Sequence, residues 1–208
     1  MNAVAASDTH IAIQPSILYV GTPVALITTR NADGTTNISP MSSVWALGDR
    51  LVLGVSSAAQ GAINALRERE LTLNFPDPSL WAAVEALGPT TGREDVPAYK
   101  VAMGYAYEPD KFACAGLSPQ PGETVKPQRI AECPLQIETE LLAAHAPTGE
   151  PGGFHIFEAR ALKVFAHPGV VIPGTQHVDT GRWSPLLYVF RHYFGTGPRL
   201  GHNFRAEA

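Results

Sequence analysis

From Pro23 to Val55 the chain presents four short strand candidates in succession with no helix between them, and this order decides what it can fold into. Pro23-Val-Ala-Leu-Ile-Thr-Thr29 is apolar and β-branched, as a strand requires. Asn31-Ala-Asp-Gly34 follows as a turn, with Gly34 placed for a positive φ. Thr35 to Ser39 returns as the second arm of that hairpin. Pro40 has no N–H to give to a ladder and is expected to end regular pairing. Val44 to Leu47 and Arg50 to Val55 pair around Gly48-Asp49. A doubly wound parallel sheet needs strand and helix in alternation, and this order does not supply it. The expectation is a mainly β domain: a single antiparallel barrel with helical insertions.

The insertions are legible by period. Gly61 to Arg69 carries Ala62, Ala65 and Leu66 three and four apart and reads as a helix. Leu71 to Phe75 returns to strand and is stopped by Pro76. Pro78 to Leu87 reads as a second helix, with proline in its first turn and Gly88 just past its end. Residues 89–130 are rich in Pro and Gly and form a long irregular excursion, the kind of loop that usually carries function. Leu135 to Ala144 and Phe154 to Ala166 are two long strands around a Pro147–Gly153 turn. Leu186 to Phe194 is apolar but fits neither a strand nor a helix period. Residues 1–14 read as a loose arm and 15–208 as one domain.

Composition narrows the function classes. Apolar residues make up 45 % and charged residues 16 %, against about 25 % charged in an ordinary domain. Disorder is excluded, and neutral polar residues, 19 Gly and 18 Pro finish the surface. A net charge of −4 argues against a nucleic-acid footprint, while leaving room for a small basic pocket for one phosphate. No apolar run approaches the roughly 20 residues that cross a bilayer. Met1 to Gln14 lacks the basic start of a secretory signal, so a cytoplasmic location is expected. Cys114 and Cys133 sit in no CxxC pair and read as free thiols.

Standard catalytic signatures are absent. Gly195-Thr-Gly-Pro-Arg-Leu-Gly201 resembles a dinucleotide loop, but its third glycine falls one place late and no βα unit precedes it, so it reads as a turn. There is no Walker A motif and no HExxH. The seven histidines are scattered, and no metal site is expected. Gly54-Val-Ser56-Ser-Ala58 misses the nucleophile-elbow pattern at its last glycine.

Three segments remain. Asn37-Ile-Ser-Pro-Met-Ser-Ser43 is small, polar and proline-broken, and leaves backbone N–H and C=O groups in need of partners. A flat heterocycle with alternating donors and acceptors would supply them, and so would an ordinary bulge capped by its own serines. Val55-Ser-Ser-Ala-Ala-Gln-Gly-Ala62 leads into a helix. Its hydroxyls, its amide and the helix N–H groups suit a phosphate, or simply cap the helix. Val96-Pro-Ala-Tyr-Lys100 and Asp110-Lys-Phe112 carry lysines that either close over an anion or lie solvated on the surface.

Together with Leu73-Asn-Phe-Pro76, Gly116-Leu117, Val125-Lys-Pro127, Glu132-Cys-Pro134 and Glu138, these segments resemble, in order and spacing, the flavin-reductase-like family of FMN-binding split β-barrels. The resemblance runs from about Pro15 to about Arg205. It implies a split-barrel homodimer with FMN at or near the interface. It places Thr29, Asn37, Ile38, Ser39, Pro40, Met41, Ser42 and Ser43 beside the isoalloxazine ring, chiefly through main-chain atoms. It places Ser56, Ser57, Gln60 and Ala62 at the ribityl phosphate. Relatives often carry a basic residue and a threonine in that turn. Here Gln60 and Ala62 stand instead, so either the phosphate is held more weakly or Lys100 supplies the missing charge.

The implied activity is an NAD(P)H:flavin oxidoreductase, with NADH or NADPH as co-substrate and a flavin-dependent monooxygenase or other acceptor as possible recipient of reduced flavin. Such chemistry needs no side-chain acid or base, because the cofactor carries it. The alternatives are an FMN-binding electron carrier that does not itself oxidise NAD(P)H, and a barrel that binds another small ligand without turnover. The aromatic stretch Leu186 to Phe194 needs cover on several sides. Either the 89–130 excursion or a second subunit provides it, and the resemblance favours the subunit.

Overall fold

Seven strands pair antiparallel in one sheet. They are β2 (Ala25–Arg30), β3 (Thr36–Met41), β4 (Val44–Leu47), β5 (Arg50–Ser56), β6 (Glu70–Phe75), β11 (Leu135–His145) and β12 (Phe154–Ala166), in the spatial order β3-β2-β6-β11-β12-β5-β4. Smaller pairs decorate it. β1 (Val20–Pro23) joins β13 (Leu187–Val189) and β14 (His192–Phe194). β7 (Thr90–Thr91) pairs with β8 (Ala106–Tyr107), and β9 (Pro119–Gln120) with β10 (Arg129–Ile130). The helices are α1 (Gln60–Glu68), α2 (Trp81–Leu87) after a 3-10 turn at Pro78–Leu80, α3 (Ala98–Ala102) and α4 (Lys111–Ala115). This computed structural model describes residues 10–146, 153–201, 203 and 204. Residues 1–9 of the expected arm and 147–152 of the expected turn lie outside the described residues.

The chain connectivity forces the sheet to curl. β3 and β4 stand at opposite ends of the strand order, yet just Ser42 and Ser43 separate them in sequence. A flat sheet of that width could not be spanned by two residues. The sheet therefore bends until its edges meet at this corner, giving the antiparallel split barrel. Gly54 N donates to Ser43 O at 2.9 Å to pin the corner to β5. A Cβ on Gly54 would meet the Ser43 side chain at 3.1 Å, so the absence of a side chain there lets the corner close.

The curl creates two cores. Ile27, Leu51, Leu53, Leu71, Leu73 and Phe157 fill the barrel against Ala62 and Ala65 of α1. The other face of β2 and β3 buries Leu26 and Ile38 against Val84, Leu87, Leu117, Ile130 and Leu186. β2 is thus buried on both faces, which explains why its sequence is a continuous apolar and threonine run rather than an alternation.

Two sequence expectations are corrected. Pro40 does not end β3, which runs through it to Met41 with Pro40 opposite Leu26. β3 is an edge strand, where proline's missing N–H breaks no ladder. The Pro23–Thr29 strand is two strands: β1 ends at Pro23, and β2 begins at Ala25 in the main sheet. The stretch without period, Leu186 to Phe194, is a tight hairpin, with Phe190 (φ 43) and Arg191 (φ 70) at its turn. A turn inside a nine-residue window breaks any period.

Candidate functional site

The seam where the barrel edges meet opens into a cleft of about 550 Å³, within the usual range for small-molecule sites, about 300–1,000 Å³. β3 and the corner line one side through Asn37, Ser39, Pro40, Met41, Ser42 and Ser43. Ser56 and Gln60 line it at the start of α1, and Lys100 from α3. Among the residues expected at a cofactor, four lie outside this lining. Thr29 is fully buried, and its hydroxyl accepts from Asn64 Nδ2 at 3.2 Å. Ile38 and Ala62 belong to the two cores. Ser57 follows the end of β5, its N–H bonded to Gly153 O at 3.4 Å.

Thr29 still connects to the cleft at one remove. Buried Asn64 bridges Thr29 and Asn31 (2.7 Å) on one side and accepts from Gln60 Nε2 at 2.8 Å on the other. This network orients the Gln60 side chain at the mouth of α1. Ala59, at the capping position before α1, offers no side-chain cap, and the first turn holds no acidic residue. The positive end of the helix is therefore left to whatever enters the cleft.

Asn37 is the most informative group. It is 2 % exposed, and its Nδ2 donates to Ser39 Oγ at 3.1 Å. Its Oδ1 is buried and has no hydrogen-bond partner. Such an orphan costs about 1–3 kcal/mol unless something supplies a donor. The surroundings are cut to fit it. A Cβ on Gly92 would stand 2.3 Å from Asn37 Oδ1, and one on Gly61 would stand 2.9 Å from Ser39 Oγ.

Residues that the sequence reading did not place at the site complete it. Tyr19 shares a 2.6 Å hydrogen bond with Ser43 Oγ. Tyr188 stacks edge-on against Tyr19 with ring centroids 5.6 Å apart, and Tyr193 lies 5.6 Å from Tyr188. Tyr193 OH donates to Glu85 Oε2 at 3.0 Å, and burial together with that carboxylate pushes its phenol up. Lys111 of α4 is 3 % exposed and also lines the cleft, its Nζ donating to Ile38 O at 2.8 Å. Burial, with the charge of Lys100 nearby, pushes the Lys111 ammonium down to about 8. Burial and the Arg93 charge lower Lys100 as well. The Asp110-Lys-Phe112 signal was present in the sequence, but nothing local says that the lysine is buried.

Among the described residues no cluster of three His, Cys, Asp or Glu could hold a metal ion, and no helix is long and apolar enough to cross a membrane. Cys114 is exposed and Cys133 buried, both free.

The chain's likenesses point the same way as this geometry. The family described as the flavin reductase like domain matches residues 18–197, and the protein belongs to that family. It is 44 % identical over 195 residues, 94 % of this chain and 93 % of the relative, to the uncharacterized protein YdfE of Bacillus subtilis (strain 168). Its fold is similar to flavoredoxin of Desulfovibrio vulgaris (Miyazaki F), with a TM-score of 0.78 at 20 % identity over 95 % of this chain and 99 % of that one. It is also similar to nitrilotriacetate monooxygenase component B from Bacillus cereus, with a TM-score of 0.74 at 16 % identity over 94 % and 100 %.

The family implies a flavin, and the cleft meets its needs. The orphaned Asn37 Oδ1 asks for a donor, β3 presents an edge, and the uncapped start of α1 with Lys100 and Lys111 asks for an anion. The protein is thus a flavin-related oxidoreductase of split-barrel fold.

Proposed function

We propose that the protein is an FMN-dependent NAD(P)H:flavin oxidoreductase. The observation that carries this reading is the buried, unpartnered Oδ1 of Asn37, a residue that lines a cleft walled by an edge strand. A flavin, when bound, supplies hydride acceptance from a nicotinamide. The chain's own residues bind and orient it. The edge of β3 from Asn37 to Met41, with the corner Ser42 and Ser43, offers main-chain donors and acceptors to a heterocycle. Donors fixed before the reaction favour negative charge that builds on such a ring. The phosphate belongs at the start of α1, with Ser56, Gln60 and Lys100 around it. Tyr19, Tyr188 and Tyr193 wall the cleft with rings and keep water from it.

FMN rather than FAD suits this arrangement, because a helix start fits a terminal phosphate. In a fluorescence titration FMN binds more tightly than FAD, and equal or tighter FAD binding overturns the assignment. In the same titration Lys100→Ala weakens FMN by about 1–3 kcal/mol, the range for hydrogen bonds to charged groups, and lowers the salt sensitivity. Unchanged affinity assigns Lys100 to solvent.

A homodimer belongs to this reading. Trp45 and Leu47 of β4 and Phe154 and Ile156 of β12 are exposed on two strands that flank β5. An apolar outer sheet face of this kind usually marks an interface. The C-terminal hairpin adds Phe190 and Phe194, while its Tyr188 and Tyr193 are covered within the chain. Sedimentation at micromolar concentration is expected to give a dimer, and a 22.2 kDa species that still binds FMN refutes it. A flavin-dependent monooxygenase is a fitting recipient of reduced flavin, and a cytoplasmic setting agrees with two free thiols.

A further inference from the structure

Beside the flavin cleft lies a second cavity of about 440 Å³, between Pro78 and Trp81 on one side and β14 on the other. Buried Leu186 floors it, and its lining carries no acidic or basic side chain other than His192. The chain builds it at two points. Leu186 N donates to Pro76 O at 2.9 Å, which brings the 3-10 turn alongside β14. A Cβ on Gly195 would stand 3.1 Å from Pro78 Cγ, so the missing side chain lets that turn approach the end of the strand. Tyr193 lines both cavities, and its hydroxyl is held by Glu85, one turn beyond Trp81 on α2. The two cavities are therefore neighbours across one residue.

Two features say what fits there. The first is Trp81, a large flat ring that is 52 % exposed at the wall of a cavity. The second is main chain. Phe190 and Arg191 make a two-residue turn, so Val189 and His192 are the pair that exchanges both hydrogen bonds. The next pair, Tyr188 and Tyr193, is then the one whose N–H and C=O turn outward from the hairpin. β14 is the last strand of its sheet, and among the described residues no other segment takes the Tyr193 N–H or C=O. A single residue thus offers a donor and an acceptor side by side, next to an uncovered indole. Adenine has the complementary edge, an exocyclic amine beside a ring-nitrogen acceptor, and a face that stacks on an aromatic ring.

We propose that this cavity seats the adenine ring of the nicotinamide dinucleotide, stacked on Trp81 and bonded along its edge by Tyr193 N–H and C=O. This rests on the oxidoreductase reading above. Such a dinucleotide carries two flat heterocycles on one flexible tether. With the nicotinamide at the flavin, the adjoining cavity takes the other ring. Stacking on Trp81 supplies affinity for any base, and the Tyr193 main chain selects adenine among them.

The test is anaerobic reduction of the FMN-loaded protein, followed by flavin absorbance. The donors are NADH, NADPH, the hypoxanthine analogue of whichever of these is better, and reduced nicotinamide mononucleotide, which has no base. Trp81→Ala is expected to raise the half-saturating dinucleotide concentration about 5- to 100-fold, the loss of one base–aromatic stack, with the limiting rate unchanged. Reduction by the mononucleotide stays as in wild type, and Trp81→Phe restores most of the loss. In wild type the hypoxanthine analogue, whose oxygen meets the Tyr193 carbonyl in place of the amine, needs about 10-fold more for half-saturation. Equal half-saturation in wild type and Trp81→Ala, or a loss that extends equally to the mononucleotide, overturns the proposal. A Trp81→Ala protein that sediments as a smaller species than wild type also overturns it, and makes the groove a contact between copies of the chain. Wild-type protein that no donor reduces overturns the oxidoreductase reading and the proposal with it. Reduction by dinucleotide and mononucleotide at the same half-saturation removes the proposal alone.

Discussion

Replacing Glu138 with alanine lowers the unfolding free energy by about 3–5 kcal/mol, the cost of breaking a buried charged pair. Glu138 is fully buried on β11 and gathers the 119–130 loop onto the barrel. Its Oε1 accepts from Glu123 N at 2.8 Å, and its Oε2 from Thr124 N at 2.7 Å and Thr124 Oγ1 at 2.5 Å. Arg129 Nε lies 3.5 Å from Oε1, and the guanidinium also lies over the Phe165 ring at 3.8 Å. Truncation strands two backbone donors and leaves the Arg129 charge, 7 % exposed at its side chain, without its buried partner. Glu138→Gln keeps one acceptor oxygen in place and loses less. Urea unfolding followed by circular dichroism checks both, and an alanine variant within 1 kcal/mol or so of wild type contradicts this account of the loop.

The second large effect is on binding. Gly92→Ala puts a Cβ 2.3 Å from Asn37 Oδ1 and 3.2 Å from Gln60 Cγ. Asn37 is boxed in by Ser39 and cannot move away freely. Accommodating the methyl costs about 1–3 kcal/mol of overpacking, and it displaces the Asn37 amide from its place in the cleft wall. FMN affinity is expected to fall about 10- to 100-fold, equivalent to about 1.4–2.7 kcal/mol, with a modest loss of thermal stability. Unchanged FMN binding in a folded Gly92→Ala protein removes Asn37 from the binding site.

Much of the fold was legible because strand order and turn chemistry are local. β12 has the ends that its sequence predicts, Phe154 and Ala166, and the Gly48-Asp49 turn, with Gly48 at φ 61, falls where its residues say. Pro40 misled because the rule that proline ends pairing holds for central strands, and edge position is a property of the assembled sheet. The β13–β14 hairpin was hidden because such a turn ordinarily advertises itself with Asn-Gly, and here Phe190 and Arg191 take the left-handed region.

The site divides in the same manner. Asn37 to Ser43 and Gln60 stood out because polar and proline-broken segments inside a β pattern are unusual. Thr29 and Ala62 share that neighbourhood in sequence but face Asn64 and the barrel core. Lys111 stood among the candidate lysines, but a lysine beside aspartate reads equally well as solvated surface. Only the packing of α4 against α2 and β3 shows that it is buried. The tyrosines come from both ends of the chain, and their convergence is set by the pairing of β1 with β13.

On the proposed reading, this cleft holds FMN and passes it a hydride from a nicotinamide. Anaerobic titration of the purified protein carrying FMN, with NADH and then NADPH, tests it through the flavin absorbance. One of the two is expected to bleach the bound flavin in equal proportion to the nicotinamide oxidised. FMN that is bound tightly yet stays oxidised with both nucleotides contradicts it and leaves an electron carrier in its place.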